Sequence, residues 1–161
     1  MACGSRSLRK VLLEEMGMSE AIVRDGHEVI PRFRIFTADG DFALLMPLSD
    51  NAADRHRRIR LVGHFMAWKM ATGFVISGEL HAPDAISSFF VGRHEREGLF
   101  RLIERGPPIS FGKIRALGEG EVEAVLVALL PQRETAMTSD GIAELERVFG
   151  DEGEMPAMRV S

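Results

Sequence analysis

The chain has 161 residues, 45% of them hydrophobic and 27% charged, with a formal net charge of −4 at pH 7. This length fits one domain with one core, and the balance excludes the low-hydrophobicity, high-charge regime of disordered chains. The single cysteine, Cys3, excludes an intramolecular disulfide, and no stretch approaches the roughly 18 consecutive apolar residues of a membrane span, so we expect a cytoplasmic protein of bacterial type.

The first predicted element is a short amphipathic helix over residues 7–16. Its apolar side consists of Leu8, Val11, Leu12 and Met16. The codons just before Met18 would be rich in purines, as in a ribosome-binding sequence, which leads to the hypothesis that translation starts at Met18. Residues 1–17 are then a non-native or mobile extension, residues 18–150 form a single α+β domain, and residues 151–161 are a flexible tail.

From Pro31 the pattern changes to the period of two that is typical of a strand. Asp39 and Gly40 then lie between two apolar runs. An Asp-Gly pair in that position predicts a β-hairpin with a type I′ turn, because both central residues of such a turn have positive φ. Two antiparallel strands are therefore expected around this pair.

A long helix is predicted next, from about Ala52 to Ala71. Three consecutive residues with N-cap oxygens precede it, and Gly73 ends it. Its apolar side consists of Ile59, Val62, Met66 and Met70. On the opposite side, Arg57, Arg60 and His64 fall within about 60° of one another at 100° per residue, and they form an exposed basic ridge. This ridge is suited to phosphate or to an acidic partner, although a solvated basic face is the commoner meaning of such a pattern.

The remainder of the chain predicts strands followed by a closing helix. Apolar runs separated by turns lie at residues 74–80, 86–91, 99–104 and 109–117, and the most apolar run, at 122–130, predicts a strand buried on both faces. The closing helix begins after Ser139 or Asp140, and its apolar stripe consists of Ile142, Leu145, Val148 and Phe149. These elements predict an α+β fold: a mostly antiparallel sheet, one long helix after an N-terminal β-hairpin, and a C-terminal helix packed on the same face.

One predicted turn carries three polar residues, Glu79, His81 and Asp84, that suit an acid/base pair or a ligand set. Their spacing matches no established metal signature. His56 and His64 lie about 12 Å apart along a helix axis, outside the i, i+4 geometry of paired ligands. We therefore assign no catalytic residue, no metal and no cofactor.

Serine nucleophiles and nucleic-acid binding have weaker support. Ser77 lacks the flanking glycine of a nucleophile elbow, and Ser88 lies inside a predicted strand with no identifiable base. Residues 1–72 carry 11 Lys and Arg against 9 Asp and Glu, and residues 73–161 carry 9 against 15. With no tyrosine, and with the one tryptophan, Trp68, read as a core anchor, the chain has little with which to stack on bases.

A short region resembles a group of small bacterial and phage proteins of unassigned activity. The resemblance rests on an apolar strand at 42–48, a helix that ends in Ala67-Trp68, and the strand at 74–80. It covers about 40 residues of the chain. It transfers no catalytic residue, and it implies only a link to accessory or mobile-element genes.

The leading hypothesis is a non-enzymatic protein-interaction or regulatory protein that binds another protein, or itself as a homodimer, through a sheet edge or a helix surface. No membrane partner is expected. One alternative is a small enzyme or ligand-binding domain that uses Glu79, His81 and Asp84, with the basic ridge across a cleft. The other is nucleic-acid binding through the basic helix at residues 52–71.

Overall fold

The computed structural model describes residues 5–46, 51–81, 83–117, 143 and 157–160. The elements in these ranges are α1 (Ser5–Arg24), β1 (Arg32–Thr37), β2 (Gly40–Leu45), α2 (Ala52–Trp68), β3 (Gly73–His81), β4 (Asp84–Gly92), β5 (Arg96–Glu104), β6 (Ser110–Phe111), β7 (Arg115–Leu117) and β8 (Ala157–Val160). The predicted strand at 122–130 and, except for the helical Ala143, the predicted closing helix lie outside the described residues.

The strands form one sheet in which every pairing between described strands is antiparallel. Its order is β6-β5-β4-β3-β1-β2-β8, and β7 also pairs with β5. β3 and β4 make a hairpin in which His81 lies opposite Asp84. Residues 157–160, which the sequence analysis places in a tail, extend the sheet as β8 beside β2.

Two cores lie on the two faces of this sheet. On one face, α2 buries Leu61, Val62, Phe65 and Met66 against residues that include Phe33 and Phe74. On the other face, α1 lies across β3, β4 and β5 and buries Leu12 and Met16 against Val75, Ile86 and Leu99. Each large apolar side chain buried in this way stabilises the fold by about 1.5–3 kcal/mol. Neither helix is long and apolar enough to cross a membrane.

The predicted fold was wrong in the order of its elements, although the elements described are α and β. The hairpin does not open the domain, because the 20-residue helix α1 precedes it. The helices α1 and α2 cover opposite faces of the sheet, and the closing helix that was predicted to share a face with α2 lies, apart from Ala143, outside the described residues. The predicted first helix, over residues 7–16, stopped too early, since α1 continues to Arg24. Gly17 lies on the exposed side of α1, and Val23 continues the buried stripe beyond it.

The hairpin between β1 and β2 is present, but its turn is not the predicted one. Thr37 pairs with Gly40, so Ala38 and Asp39 are the central residues. Neither of them has the positive φ that a type I′ turn requires, whereas Gly40 does, at 124°. The Thr37 hydroxyl also accepts a hydrogen bond from the Asp39 N–H and donates one to the Gly40 carbonyl.

α2 ends at Trp68, three residues before the predicted end. The Met70 N–H donates to the Ala67 carbonyl and the Ala71 N–H donates to the Met66 carbonyl, which is the Schellman pattern. Met70 occupies the left-handed position of this motif at φ 50°. Its side chain is 78% exposed, so the prediction that Met70 belongs to the apolar side of the helix was wrong.

Substitution Met70→Gly should raise the free energy of unfolding by about 0.5–1 kcal/mol, because glycine adopts the left-handed conformation without the steric cost of a Cβ. Urea denaturation measures the change. The control is Met18→Gly in the middle of α1, where the same replacement should lower stability by about 1 kcal/mol. A loss of stability on Met70→Gly would contradict this account.

The division of the chain at residue 17 stays a prediction, and the intact mass of protein made from the natural gene decides it. A mass that includes residues 1–17 would end the Met18 hypothesis. A chain that starts at Met18 loses Leu8, Leu12 and Met16, which are all buried in the full chain. We expect that chain to lose cooperative unfolding in urea, because one face of the sheet would be left uncovered.

Candidate functional site

The structure brings Glu79 and Asp84 together through a residue that the sequence analysis did not select. Arg105, just after β5, donates from Nε to Asp84 Oδ2 at 2.6 Å and from Nη2 to Asp84 Oδ1 at 3.1 Å. The same Nη2 also donates to Glu79 Oε2 at 3.2 Å. His81 lies opposite Asp84 in the hairpin and is exposed. We call Glu79, Asp84 and Arg105 the hairpin clamp, because they join the end of β5 to the β3–β4 hairpin.

Both carboxylates of the hairpin clamp are engaged. The hydrogen bonds from Arg105 hold the pKa of Asp84 below its ordinary value, and His81 adds to that effect. Asp84 in turn raises the pKa of Arg105. Glu79 is only 7% exposed, and its Oε1 accepts the Val29 N–H at 3.0 Å. An acid/base catalyst needs a pKa near the working pH, and an Asp84 held ionised by an arginine lacks one.

The basic ridge lies on the other side of the sheet. Glu79 shares its face with Val75 and Ser77, which is the face that α1 covers, whereas α2 packs on the opposite face. Arg60 and His64 are exposed on the outside of α2, and Arg57 Nη2 binds Asp54 Oδ1 at 3.2 Å. The form of the enzyme alternative that adds the ridge to the turn residues needs the two sets to meet across a cleft. The sheet separates them.

Trp68, the last residue of α2, is half-buried and packs against the core. Its ring lies edge-on to Phe65, with 5.9 Å between the ring centroids. Lys69 Nζ lies 4.1 Å from the centre of the Trp68 ring, within the range of a cation–π interaction. The ring therefore has neighbours on its edge and on its face, and it does not form an open platform for a base.

A third set of polar residues lies between α1 and the sheet. Among the described residues, the buried polar or charged ones are Glu15, Ser19, Ser77 and Ser88. All four belong to this contact, together with Arg32 of β1. Arg32 is the cross-strand neighbour of Ser77, and Ser77 is the neighbour of Ser88. We call Glu15, Ser19, Arg32, Ser77 and Ser88 the polar cluster.

Glu15 is the charged centre of the polar cluster. Its Oε2 lies 3.0 Å from Arg32 Nε, and its Oε1 lies 3.5 Å from Arg34 Nη1. The Ser19 hydroxyl donates to the Glu15 carbonyl at 3.4 Å. Burial raises the pKa of Glu15, and the two arginines oppose that rise. The attraction of Arg32 and Arg34 therefore favours the ionised Glu15 carboxylate at a buried position where desolvation disfavours it.

The hydrogen-bonding groups of the polar cluster are not all used. Ser88 Oγ is buried without a hydrogen-bond partner, and Glu15 Oε2 and Arg32 Nε face each other as an ion pair outside hydrogen-bond geometry. Buried polar groups normally find partners, since each one left alone costs about 1–3 kcal/mol.

Sequence reasoning missed the polar cluster, although one signal pointed to it. Glu15 lies inside the apolar stripe of α1, between Leu12 and Ser19, and a charge in such a stripe requires a buried partner. Ser88 was considered only as a nucleophile within a strand.

The comparisons with known proteins add no relative. The chain matches no known protein family, no curated protein and no solved structure. Among the described residues, no three His, Cys, Asp or Glu side chains are grouped to hold a metal ion.

Substitution Arg105→Gln should raise the pKa of Asp84 toward the ordinary value of an aspartate, and an NMR titration of the Asp84 carboxyl carbon measures it. A lowered pKa in the folded state stabilises the protein above the ordinary pKa, and this stabilisation is lost as the pH falls through the lowered value. Arg93→Gln at another exposed arginine is the control. An unchanged Asp84 titration in Arg105→Gln would show that Arg105 is not the cause.

Proposed function

We propose that this chain is a non-enzymatic protein-interaction protein of the cytoplasm, with a regulatory or accessory role, and that it binds an acidic surface of another protein through the basic ridge on α2. The proposal rests on the difference between the buried apolar side of α2 and its exposed basic side. Its inner side is committed to the core through Leu61, Phe65 and Met66. Its outer side presents Arg60 and His64 to solvent on a helix fixed from below.

The charge of the ridge favours a different protein over a second copy of the chain. A two-fold symmetric dimer through α2 would place Arg60 and Arg57 of one copy near the same residues of the other. Like charges placed together in this way oppose association. The chain as a whole carries a net charge of −4, so the ridge is a local reversal of sign and steers acidic surfaces toward α2.

The ridge supports protein binding more than nucleic-acid binding or catalysis. Trp68 packs against Phe65 and Lys69, so base stacking has no exposed tryptophan beside the ridge. The hairpin clamp ties up Glu79 and Asp84, so the residues proposed for an enzyme have a structural task. No contact among the described residues specifically favours nucleic-acid binding or catalysis.

The test compares charge reversals on immobilised chains. The double variant Arg60→Glu, His64→Glu should reduce capture of the wild-type partner at least tenfold, since about 1.4 kcal/mol lost at an interface is tenfold in affinity. Arg93→Glu, a reversal at an exposed arginine away from α2, is the matched control and should capture normally. Quantitative mass spectrometry of the eluates measures both.

Three outcomes contradict the proposal. One is equal capture by the double variant and by Arg93→Glu. Another is a wild-type chain that is monomeric by light scattering and captures nothing from its own lysate. The third is steeply salt-dependent retention of DNA or RNA that the double variant loses, which would indicate nucleic-acid binding instead.

A further inference from the structure

The outward side of α1 is apolar over more than two helical turns. The inward side of this helix is buried in the core that it shares with the sheet. A helix that is apolar on both sides is normally covered on both sides. The outward residues of this stretch, which we call the α1 face, are the large side chains Leu13, Met18 and Ile22, each 36–39% exposed, and the small exposed residues Gly17 and Ala21.

Gly17, in the middle of the α1 face, has no packing role within its own chain. A Cβ added at this position would meet no atom within 4 Å. Glycine inside a helix lowers stability relative to alanine, so its presence here brings no gain to the isolated fold. Glycine suits a position where another backbone approaches closely. The α1 face therefore has a place where a second helix can lie against it.

Two oppositely charged residues lie at the two ends of the α1 face. Lys10 precedes it, and Asp25 follows it at the end of the helix, where its N–H donates to the Ala21 carbonyl at 3.1 Å. Both side chains are exposed, and neither makes an ion pair with another described residue. They lie about 22 Å apart along the helix axis and about 60° apart around it. They are therefore on the same side of α1 but too distant to pair with each other.

We propose that the α1 face binds the α1 face of a second copy of this chain, in an antiparallel two-fold dimer whose axis passes between Gly17 and Met18. Each residue is then level with the residue equally far beyond the centre of the other copy. Lys10 of each copy is thereby level with Asp25 of the other, and the two Met18 side chains lie side by side at the axis.

The charges favour this arrangement over the alternatives. A parallel two-fold dimer would place Lys10 beside Lys10 and Asp25 beside Asp25, whereas the antiparallel dimer forms two opposite-charge pairs. Glu14, the one exposed charge between Leu13 and Ile22, is level with the uncharged Ala21 of the second copy, and its carboxylate lies 3.4 Å from Arg34 of its own chain. The α1 face thus meets no like charge.

The dimer is independent of the proposed function. α1 and α2 cover opposite faces of the sheet, so two copies joined through α1 leave both basic ridges exposed. A variant that no longer dimerises should still capture the partner of α2. Loss of the dimer and loss of partner capture are therefore separate results.

Sedimentation equilibrium of the full chain tests the apolar part of the interface. The wild-type chain should form a reversible dimer, and Met18→Glu should raise the dimer Kd at least tenfold, because it places two carboxylates side by side at the axis. Met70→Glu makes the same chemical change at a methionine that is 78% exposed beyond the end of α2, and it should leave the Kd unchanged. Circular dichroism checks that both variants are folded.

A charge exchange tests the antiparallel alignment. Lys10→Glu and Asp25→Lys, each alone, should raise the Kd about threefold or more, since each replaces two attractive pairs by two repulsive ones. The two substitutions combined should return the Kd to near the wild-type value. Arg93→Glu, which changes the net charge as Lys10→Glu does at an exposed position outside α1, should have no effect. A purely structural role of Lys10 or Asp25 would not produce the rescue.

Three results overturn the proposal. The first is a wild-type chain that stays monomeric at every concentration at which it is soluble. The second is a dimer that Met18→Glu weakens no more than Met70→Glu does, which would show that the contact lies elsewhere. The third is a combined Lys10→Glu, Asp25→Lys variant that associates no better than the single variants.

Discussion

The alternation of charged and apolar residues from Arg32 to Ile35 in β1 sets what each face of the sheet can be packed against. β1 lies between β2 and β3 inside the sheet, so both of its faces must be covered. Phe33 and Ile35 point to one face, and Arg32 and Arg34 point to the other. The face with Phe33 and Ile35 can pack against an apolar helix surface. The face with Arg32 and Arg34 needs a helix that is apolar where it contacts the neighbouring strands and acidic where it contacts β1.

The two helices meet these two requirements. α2 offers Leu61, Val62, Phe65 and Met66, and its Arg60 and His64 stay exposed. α1 offers Leu12 and Met16 to β3, β4 and β5, and Glu15 to the arginines of β1. A buried ion pair of this kind adds little net stability, because desolvation offsets the attraction between the charges. It instead penalises any other register of α1, since a shift would leave Arg32 or Glu15 buried and unpaired.

This division separates the surfaces on which function is proposed. The basic ridge lies on one side of a helix whose opposite side packs on the sheet through Leu61, Val62, Phe65 and Met66. The polar cluster lies in the other layer, where the charges are part of the packing. The hairpin clamp belongs to that second layer as well, and it fixes the end of the sheet near Val29. Substitutions on the ridge therefore leave the ion pairs between α1 and the sheet unchanged.

Local pattern was sufficient for much of the secondary structure. The period of two in β1, the capped start of α2 at Asn51, and the apolar runs of β3, β4 and β5 all depend on neighbouring residues. The two predictions that were wrong in detail, the end of α2 and the type of turn after β1, depend on backbone geometry instead. The end of α2 was misplaced because Met70 takes a left-handed conformation that usually belongs to glycine. The turn at Ala38-Asp39 was misassigned because the adjacent Gly40 absorbs the positive φ.

The candidate sites show the same limit more sharply. Helical periodicity is local, so the residues alone place Arg57, Arg60 and His64 on one side of a helix. Local pattern likewise places Glu79 and Asp84 on either side of one turn. The contact of Arg105 with those two carboxylates and the ion pair of Glu15 with Arg32 follow from the packing of elements that are distant in the chain. These contacts cross between α1 and the sheet or between distant strands, and no local spacing encodes which face of the sheet a helix will cover.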